Sequence, residues 1–260
     1  MLDFYYPMPY NEYIKTREVI KMSRKKEYFI VLDTETMNTI EQPLCYDIGW
    51  CVCDRYGKIY ERKSFVVAET FLDMKDVMKS AYYADKIPQY WEDIKSGNRT
   101  VARMWTIRKA LINSMKQYDV KKVGAYNMAF DKRALNNLMR YVSKSWCRWF
   151  FPYGTEFFDI WNCACELILA RKSYIDFAIK NGLVSSCDNI LTSAECAYKY
   201  ITKNLDFKEE HKGLEDCEIE VAILAECYKQ HKKMDTTINP SCWRKVQRKR
   251  RELDLREVFA

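Results

Sequence analysis

Hydrophobic residues in this chain form short continuous runs in some places and runs with helical spacing in others, which predicts an α/β protein. The first continuous run, Tyr28 to Leu32, is rich in aromatic and β-branched residues, which is typical of a strand buried on both faces. Residues 45–54 and 58–68 predict two further strands, and Gly57 between them can adopt the positive φ that a hairpin often needs. We therefore expect a β-hairpin after a central strand.

Helical spacing dominates the rest of the chain and is interrupted by two short strands. Charged and apolar residues alternate with a helical period over 70–118, which predicts two or three helices. A short strand is expected at 121–126, followed by a helix from Lys132 to Tyr141. Further elements are expected at residues 156–170 (a brief strand, then a helix), 174–181, 191–203 and 214–228. This order of elements predicts a mixed sheet with helices packed against it.

The two ends of the chain differ from the middle. Residues 1–26 are aromatic, then basic, without a strong period, and are expected to form an arm that packs on the domain. Residues 234–260 predict a charged tail, because an Asn-Pro pair breaks any helix and residues 244–251 hold six cations in eight positions. A basic run of this kind can contact phosphates, and it can equally be a solvated helix face balanced by neighbouring acids.

Composition narrows the class of protein. The 260 residues are 48% hydrophobic and 30% charged, with a net charge of +7, which excludes a wholly disordered chain. Charged residues interrupt every apolar run well before the roughly 18 residues that a membrane-spanning helix needs, so no membrane partner is expected. The segment Met1 to Tyr6 has neither the basic nor the apolar region of an export signal, so we expect a cytoplasmic protein.

The eleven cysteines are odd in number and scattered, which favours reduced thiols over a disulfide framework. The sequence contains no Cys-x-x-Cys pair and only two histidines, His211 and His231, so a structural zinc site is not expected. The Cys-x-Cys pairs at 51–53 and 163–165 are interpreted as small hydrophobic residues in core positions.

The central strand runs directly into two carboxylates, in Asp33-Thr34-Glu35. Residues i and i+2 of a strand point to the same side, so both carboxylates can reach one cation. Oxygen-rich sites of this kind suit Mg²⁺ or Mn²⁺. Taken alone, the pair can also be an ordinary solvated strand edge.

Two further segments place polar side chains at the ends of predicted elements. Asp131 follows the fourth predicted strand, and His211 and Asp216 flank the start of a predicted helix. Each has a structural interpretation: Asp131 can be a helix N-cap, His211 a surface loop residue, and Asp216 a first-turn acid favoured by the helix dipole. The occurrence of all three segments in one chain favours a shared site.

Together the three segments resemble the motifs of the DEDDh 3′–5′ exonucleases, the superfamily of proofreading exonucleases, RNase T and oligoribonuclease. The motifs are Val31 to Thr36, Tyr126 to Asp131 and His211 to Asp216, in the order of the family. The histidine five residues before the last aspartate distinguishes this branch of the superfamily. The resemblance implies an RNase H-like α/β domain, here residues 27–233, with a mixed five-stranded sheet flanked by helices.

The chain departs from the family pattern at several places. Tyr126 stands where a histidine is common, and Gly213 stands where an alanine is usual. The intervals between the motifs are long for the family, which predicts helical insertions near 70–118 and 171–205. Because loops and added helices usually shape a binding cleft, these insertions bear on substrate preference.

Four acids close together repel one another unless cations neutralise them, so the motifs require metal ions. The resemblance implies two divalent ions, Mg²⁺ or Mn²⁺. Asp33, Glu35 and Asp216 would hold one ion, and Asp33 with Asp131 would hold the other. His211 would be the general base, because its ordinary pKa is near neutrality.

The resemblance also implies the reaction, which is hydrolysis of phosphodiester bonds at single-stranded DNA or RNA 3′ ends with release of nucleoside 5′-monophosphates. Thr34, Thr36 and Met37, next to the first acid, are expected to line the pocket for the terminal nucleotide. Two alternatives stay open: a proofreading subunit whose partner is a polymerase, and an inactive adaptor that binds nucleic acid. On the resemblance we expect a bacterial cytoplasm or a phage-infected cell.

Overall fold

The computed structural model describes residues 26–79 and 81–258, so the predicted arm at 1–26 lies outside the described residues except for Lys26. In the described part, six strands form a single sheet: β1 Tyr28–Met37, β2 Leu44–Asp54, β3 Ile59–Val67, β4 Thr100–Ala102, β5 Lys122–Ala125 and β6 Glu156–Asp159. Their order is β4-β3-β2-β1-β5-β6, with β2 antiparallel to both neighbours and parallel pairing elsewhere.

The sequence-based fold class is confirmed, because this is a mixed sheet flanked by helices. The number of strands needs correction from five to six in the described residues. The additional strand, β4, has only three residues and pairs with the edge of β3. So short a segment has no period of its own, and only its partner strand makes it a strand.

Strand β1 lies inside the sheet between β2 and β5, and Phe29 to Leu32 are buried, as the continuous apolar run predicts. The strand continues five residues beyond this run, through Asp33-Thr34-Glu35 to Met37, with a register shift against β2 between Glu35 and Thr36. The carboxylates therefore lie within the strand, where β2 still pairs with the backbone.

Ten α-helices cover the sheet in the described residues: α1 Ala68–Phe71, α2 Lys75–Met78, α3 Ile87–Ser96, α4 Met104–Gln117, α5 Met128–Ser143, α6 Ile160–Ala164, α7 Lys172–Lys180, α8 Ala194–Thr202, α9 Gly213–Lys229 and α10 Trp243–Val258. A 3₁₀ turn, Ala84–Lys86, precedes α3, and a π-helical turn, Cys165–Leu169, continues α6. No helix in the described ranges is long and apolar enough to cross a membrane.

The two faces of the sheet have separate cores. Ile30 and Leu32 point to the face covered by α4 and α5, whereas Phe29 and Val31 point to the face covered by α9 and its neighbours. This alternation is the two-residue period of a strand buried on both sides. The cysteines of both Cys-x-Cys pairs are buried in the core that contains α9, which confirms their interpretation as core residues.

The C-terminal segment differs from the predicted charged tail, since most of it is helix α10, packed on the domain. Cys242 and Val246 are fully buried, and the Gln247 amide exchanges two hydrogen bonds with the backbone of Ile190 (3.0 and 2.8 Å). Three of its six cations are in ion pairs: Lys245 with Glu166 and Asp235, Lys249 with Glu252, and Arg250 with Asp188. For these three cations the balanced helix face is the better interpretation.

Candidate active site

Strand β1 carries Asp33 and Glu35 to the same side of the sheet, at a cleft of about 430 Å³. Asp33 is half-buried and Glu35 is buried. The residues that line the cleft come from five parts of the chain: Asp33, Glu35, Tyr126, Asn127, Trp161, Thr192, Ser193, Ala194, Glu209, His211, Asp216 and Glu220. The first and third motifs therefore share one cavity.

Asp131 is held against β1 by hydrogen bonds. It lies in the first turn of α5, whose N-cap is Asn127, so the interpretation of Asp131 as an N-cap is excluded. The backbone N–H and the hydroxyl of Thr34 both donate to Asp131 Oδ1, at 3.1 and 2.8 Å. Because Thr34 lies between Asp33 and Glu35, these bonds bring the second motif to the first.

Asp216 and His211 reach the same place from the start of α9. Glu35, His211 and Asp216 each offer a donor atom, and these atoms lie within 4.8 Å of one another. His211 lies in the loop before the helix with a φ of 50°, and its ring stacks on Tyr83 with centroids 4.2 Å apart. The stacking orients the imidazole at the edge of the cleft.

Two glycines allow α9 to approach the sheet closely enough for Asp216 and His211 to reach Glu35. A Cβ on Gly49 of β2 would lie 2.2 Å from the backbone N of Leu214. A Cβ on Gly213 would lie 2.7 Å from the N of Gly49 and 3.0 Å from the backbone O of Asp33. The helix therefore begins in direct backbone contact with β1 and β2, which only glycine permits. Gly213 belongs to this contact.

Burial and mutual repulsion raise the pKa values of the acids. Burial is the main cause for Glu35 and for Asp216, and raises the pKa of each to about 8. Burial raises the pKa of Asp131 to about 7, although the Thr34 hydrogen bonds oppose it. The pKa of Asp33 is well above its ordinary value, because of burial and then the charge of Asp131. A cluster of this kind favours a bound cation or shared protons.

The donor set fits a divalent metal ion. Asp216 Oδ1 and Glu220 Oε2 are buried, and neither has a hydrogen-bond partner among the described residues. Buried polar atoms are nearly always paired, so an unpaired carboxylate oxygen beside a cleft indicates a missing partner. Carboxylate oxygens with one imidazole are ligands that Mg²⁺ and Mn²⁺ accept.

Two buried acids near the site were missed by the sequence analysis. Glu220 lies one helical turn after Asp216 on α9, is 3% exposed and lines the cleft. Asp159 is the N-cap of α6 and accepts the backbone N–H groups of Asn162 (3.3 Å) and Asn127 (3.4 Å). The i, i+4 spacing from Asp216 was the available signal for Glu220. For Asp159 it was its position at the end of a predicted strand.

The residues expected to contact the terminal nucleotide, Thr34, Thr36 and Met37, have different surroundings. The Thr34 hydroxyl donates a hydrogen bond to Asp131, Thr36 is half-buried, and Met37 is 1% exposed and packs in the core. None of the three belongs to the lining of the cleft.

Tyr126 and Trp161 form an aromatic wall of the cleft. Their rings are stacked, with centroids 6.2 Å apart and an interplanar angle of 29°. Both are fixed by Thr192: the Tyr126 hydroxyl donates to its carbonyl oxygen (2.6 Å), and the Trp161 indole N–H donates to its hydroxyl (3.1 Å). An acidic centre thus lies beside an aromatic surface that hydrogen bonds hold in place.

Neither a protein-family model nor a curated protein sequence matches this chain. Among solved structures, the chain is similar to the E. coli exonuclease I–ssDNA complex with bound zinc, with a TM-score of 0.44 and 11% identity over 76% of this chain and 39% of that chain. The chain is also similar to the complex of E. coli exonuclease I with a dT13 oligonucleotide, with a TM-score of 0.46 and 10% identity over 79% of this chain and 42% of that chain. For the Mg²⁺- and Mn²⁺-bound form of S. pombe Pop2p, the TM-score is 0.44 and the identity is 13%, over 83% of this chain and 88% of that chain. The chain spans about two fifths of the exonuclease I chains.

Proposed function

We propose that this protein is a metal-dependent 3′–5′ exonuclease of the DEDDh type. It would act on single-stranded DNA or RNA 3′ ends and release nucleoside 5′-monophosphates. The observation that carries the proposal is the meeting of three distant motifs around one cleft. The ligand atoms of Glu35, His211 and Asp216 lie within 4.8 Å of one another, and Thr34 donates two hydrogen bonds to Asp131. The oligonucleotides in the exonuclease I structures and the ions in Pop2p are extended to this chain as part of the proposal.

Asp33, Glu35 and Asp216 would hold one divalent ion, and Asp33 with Asp131 would hold the second. When bound, two such ions stabilise the attacking and the leaving oxygen of an in-line displacement at phosphorus. The unpaired Oδ1 of Asp216 and the raised pKa values of the acids support this set of ligands. The Thr34 hydrogen bonds would fix the orientation of the Asp131 carboxylate.

His211 would accept the proton of the attacking water. Its ring is half-buried and lines the cleft, and its stacking on Tyr83 orients the ring nitrogens. Burial and the nearby Lys86 lower the pKa of His211, which keeps the imidazole neutral near pH 7. A neutral imidazole is the form that can take up a proton.

The Tyr126 and Trp161 wall would contact the terminal base. Aromatic side chains stack on any base because every base has a π face, which suits an enzyme that removes nucleotides without reading their sequence. This wall is a better candidate for base contact than Thr34, Thr36 and Met37, which do not line the cleft.

The proposal is tested with 3′-labelled and 5′-labelled single-stranded DNA and RNA oligonucleotides in Mg²⁺ or Mn²⁺. The wild type is expected to release labelled mononucleotide from the 3′ label and a descending ladder from the 5′ label. Asp33→Ala should lower the rate by about a thousandfold or more, because a lost ligand removes several kcal/mol of transition-state stabilisation. Asp76→Ala, a change at a fully solvated acid, is the matched control.

Three results would contradict the proposal. Binding without cleavage would indicate the adaptor, and release from the 5′ end would indicate a different nuclease. Cleavage that survives Asp33→Ala would remove the metal centre from the mechanism.

A further inference from the structure

We propose that Glu220 is a fifth carboxylate ligand of the metal centre, in addition to the four acids of the family motifs. The inference rests on the proposed function, because it concerns the same two-metal site. It is carried by the position of Glu220 in the cleft and by the unpaired oxygen of its side chain.

Glu220 follows Asp216 by four residues on α9, so both side chains lie on one face of the helix. Glu220 is 3% exposed, yet it belongs to the lining of the cleft together with Asp33, Glu35 and Asp216. A long acidic side chain therefore ends at the inner wall of the cleft, deeper than His211.

The contacts of the carboxylate are incomplete. The backbone N–H of Tyr126 lies near the Glu220 carboxylate and favours its charged form, which places α9 beside the loop that leads to Asp131. Its Oε2 is buried and has no hydrogen-bond partner among the described residues. The charged groups that act most strongly on Glu220 are Asp131, Asp216 and Glu209, all of them acidic.

Another buried acid of this protein is compensated differently. Asp47 is paired with the guanidinium of Arg99 and also accepts from the Tyr90 hydroxyl and from the N–H of Gly213. A buried carboxylate without such a partner destabilises the fold if it is ionised. A divalent cation would supply the missing charge and the missing bond for Glu220 at once.

A purely structural role makes a different prediction. If Glu220 only faces the Tyr126 N–H, then glutamine can replace it, because its side-chain carbonyl oxygen is also a hydrogen-bond acceptor. If Glu220 binds metal, Glu220→Gln keeps the shape and the acceptor oxygen but removes the charge that a divalent cation needs. The substitution therefore separates the two roles.

The experiment measures Mn²⁺ binding by the metal-free full-length chain, using the electron paramagnetic resonance signal of free Mn²⁺. The variants are Glu220→Gln and, as control, Glu218→Gln, which changes an exposed acid of the same helix. The wild type and the control are expected to bind Mn²⁺ alike. Glu220→Gln should weaken at least one site about tenfold or more. It should also reduce the rise in melting temperature that Mn²⁺ causes.

The outcomes distinguish this inference from the proposed function. Unchanged Mn²⁺ affinity and stoichiometry in Glu220→Gln, with a folded protein, would overturn the role of Glu220 and leave the exonuclease proposal standing. A wild type that binds no Mn²⁺ would overturn both. If Glu220→Gln does not fold, Glu220→Asp replaces it: the charge stays but the reach shortens by one methylene. A shifted Mn²⁺ affinity then supports the ligand role, and an unchanged affinity contradicts it.

Discussion

At the scale of single residues, Asp47 differs from Asp216 and Glu220, two acids of the cleft, in its hydrogen-bond partners. Asp47 accepts from an arginine, a tyrosine and a backbone amide, so both of its oxygens have hydrogen-bond partners inside the fold. Asp216 and Glu220 each keep a buried oxygen without a partner. Complete hydrogen bonding is typical of an acid that stabilises the structure, and an unpaired buried oxygen beside a cleft is typical of an acid that binds a ligand.

This difference predicts how the metal-free protein responds to pH. The folded-state pKa of Glu35 and of Asp216 is about 8, far above the ordinary range of carboxyl groups. The folded state therefore holds more protons than the unfolded state, and stability falls as the pH rises towards 8. With a chelator present, the melting temperature measured by circular dichroism should fall between about pH 5 and pH 8 and level off above pH 8. Without the chelator, added Mg²⁺ or Mn²⁺ should reduce the fall.

The control for this pH dependence is Asp216→Asn, which removes one of the titrating groups and should give a shallower decline in melting temperature. A metal-free wild type whose melting temperature rises over this pH range would contradict the electrostatic picture of the cluster.

At the scale of elements, α9 decides whether the site exists. It carries Asp216 and Glu220, and its start touches β1 and β2 through Gly49 and Gly213. The Cys217 thiol adds a hydrogen bond to the carbonyl oxygen of Gly49 (3.2 Å). A helix displaced by the width of one methyl group would carry both carboxylates away from Asp33.

Gly49→Ala tests this contact, because the new Cβ would meet backbone atoms that cannot rotate away. We expect a loss of about 1–3 kcal/mol or more in the free energy of unfolding, measured in urea, together with a loss of the proposed nuclease activity in the folded protein. Glu218→Ala, at an exposed position of the same helix, should stay within about 0.5 kcal/mol of the wild type. Equal stabilities for the two variants would mean that the start of α9 is not in close backbone contact with β2.

At the scale of the whole molecule, a buried polar network links the region of helices at 70–118 to the loop that carries His211. Arg99, which follows α3 and is 2% exposed on its side chain, bonds to both oxygens of Asp47 (2.9 and 3.0 Å). Lys212, next to His211, bonds to Asp93 of α3 (2.8 Å). The predicted insertion therefore supports the site.

Arg99→Met should destabilise the protein by about 3–5 kcal/mol, because it leaves the Asp47 carboxylate buried without its cation. Arg62→Met is the matched control, since Arg62 forms an exposed ion pair with Glu218 that should contribute no more than about 1 kcal/mol. Guanidinium chloride unfolding measures both variants. Similar losses in the two would show that the Asp47 pair is not a support of the fold.

Many elements of this fold were predictable because their signals are local. The apolar run from Tyr28 predicted the inner strand, and the helical period predicted a helix at 132–141, which the structure extends to Met128–Ser143. Strand β4 and the packing of α10 were not predictable in the same way. Three residues such as Thr100–Ala102 become a strand only beside β3, and Val246 becomes a core residue only because α10 packs on the domain.

The amino-acid sequence by itself determined which donors the protein has and where they sit on their elements: carboxylates two residues apart on a strand, an acid in the second motif, and a histidine before a helix. Those positions follow from the periods of strands and helices, which extend over a few residues. Only the tertiary structure decided that the three segments meet. It also left oxygens of Asp216 and Glu220 without partners, and it turned Met37 into the core. These outcomes depend on strand order and on one close glycine contact, which join residues far apart along the chain.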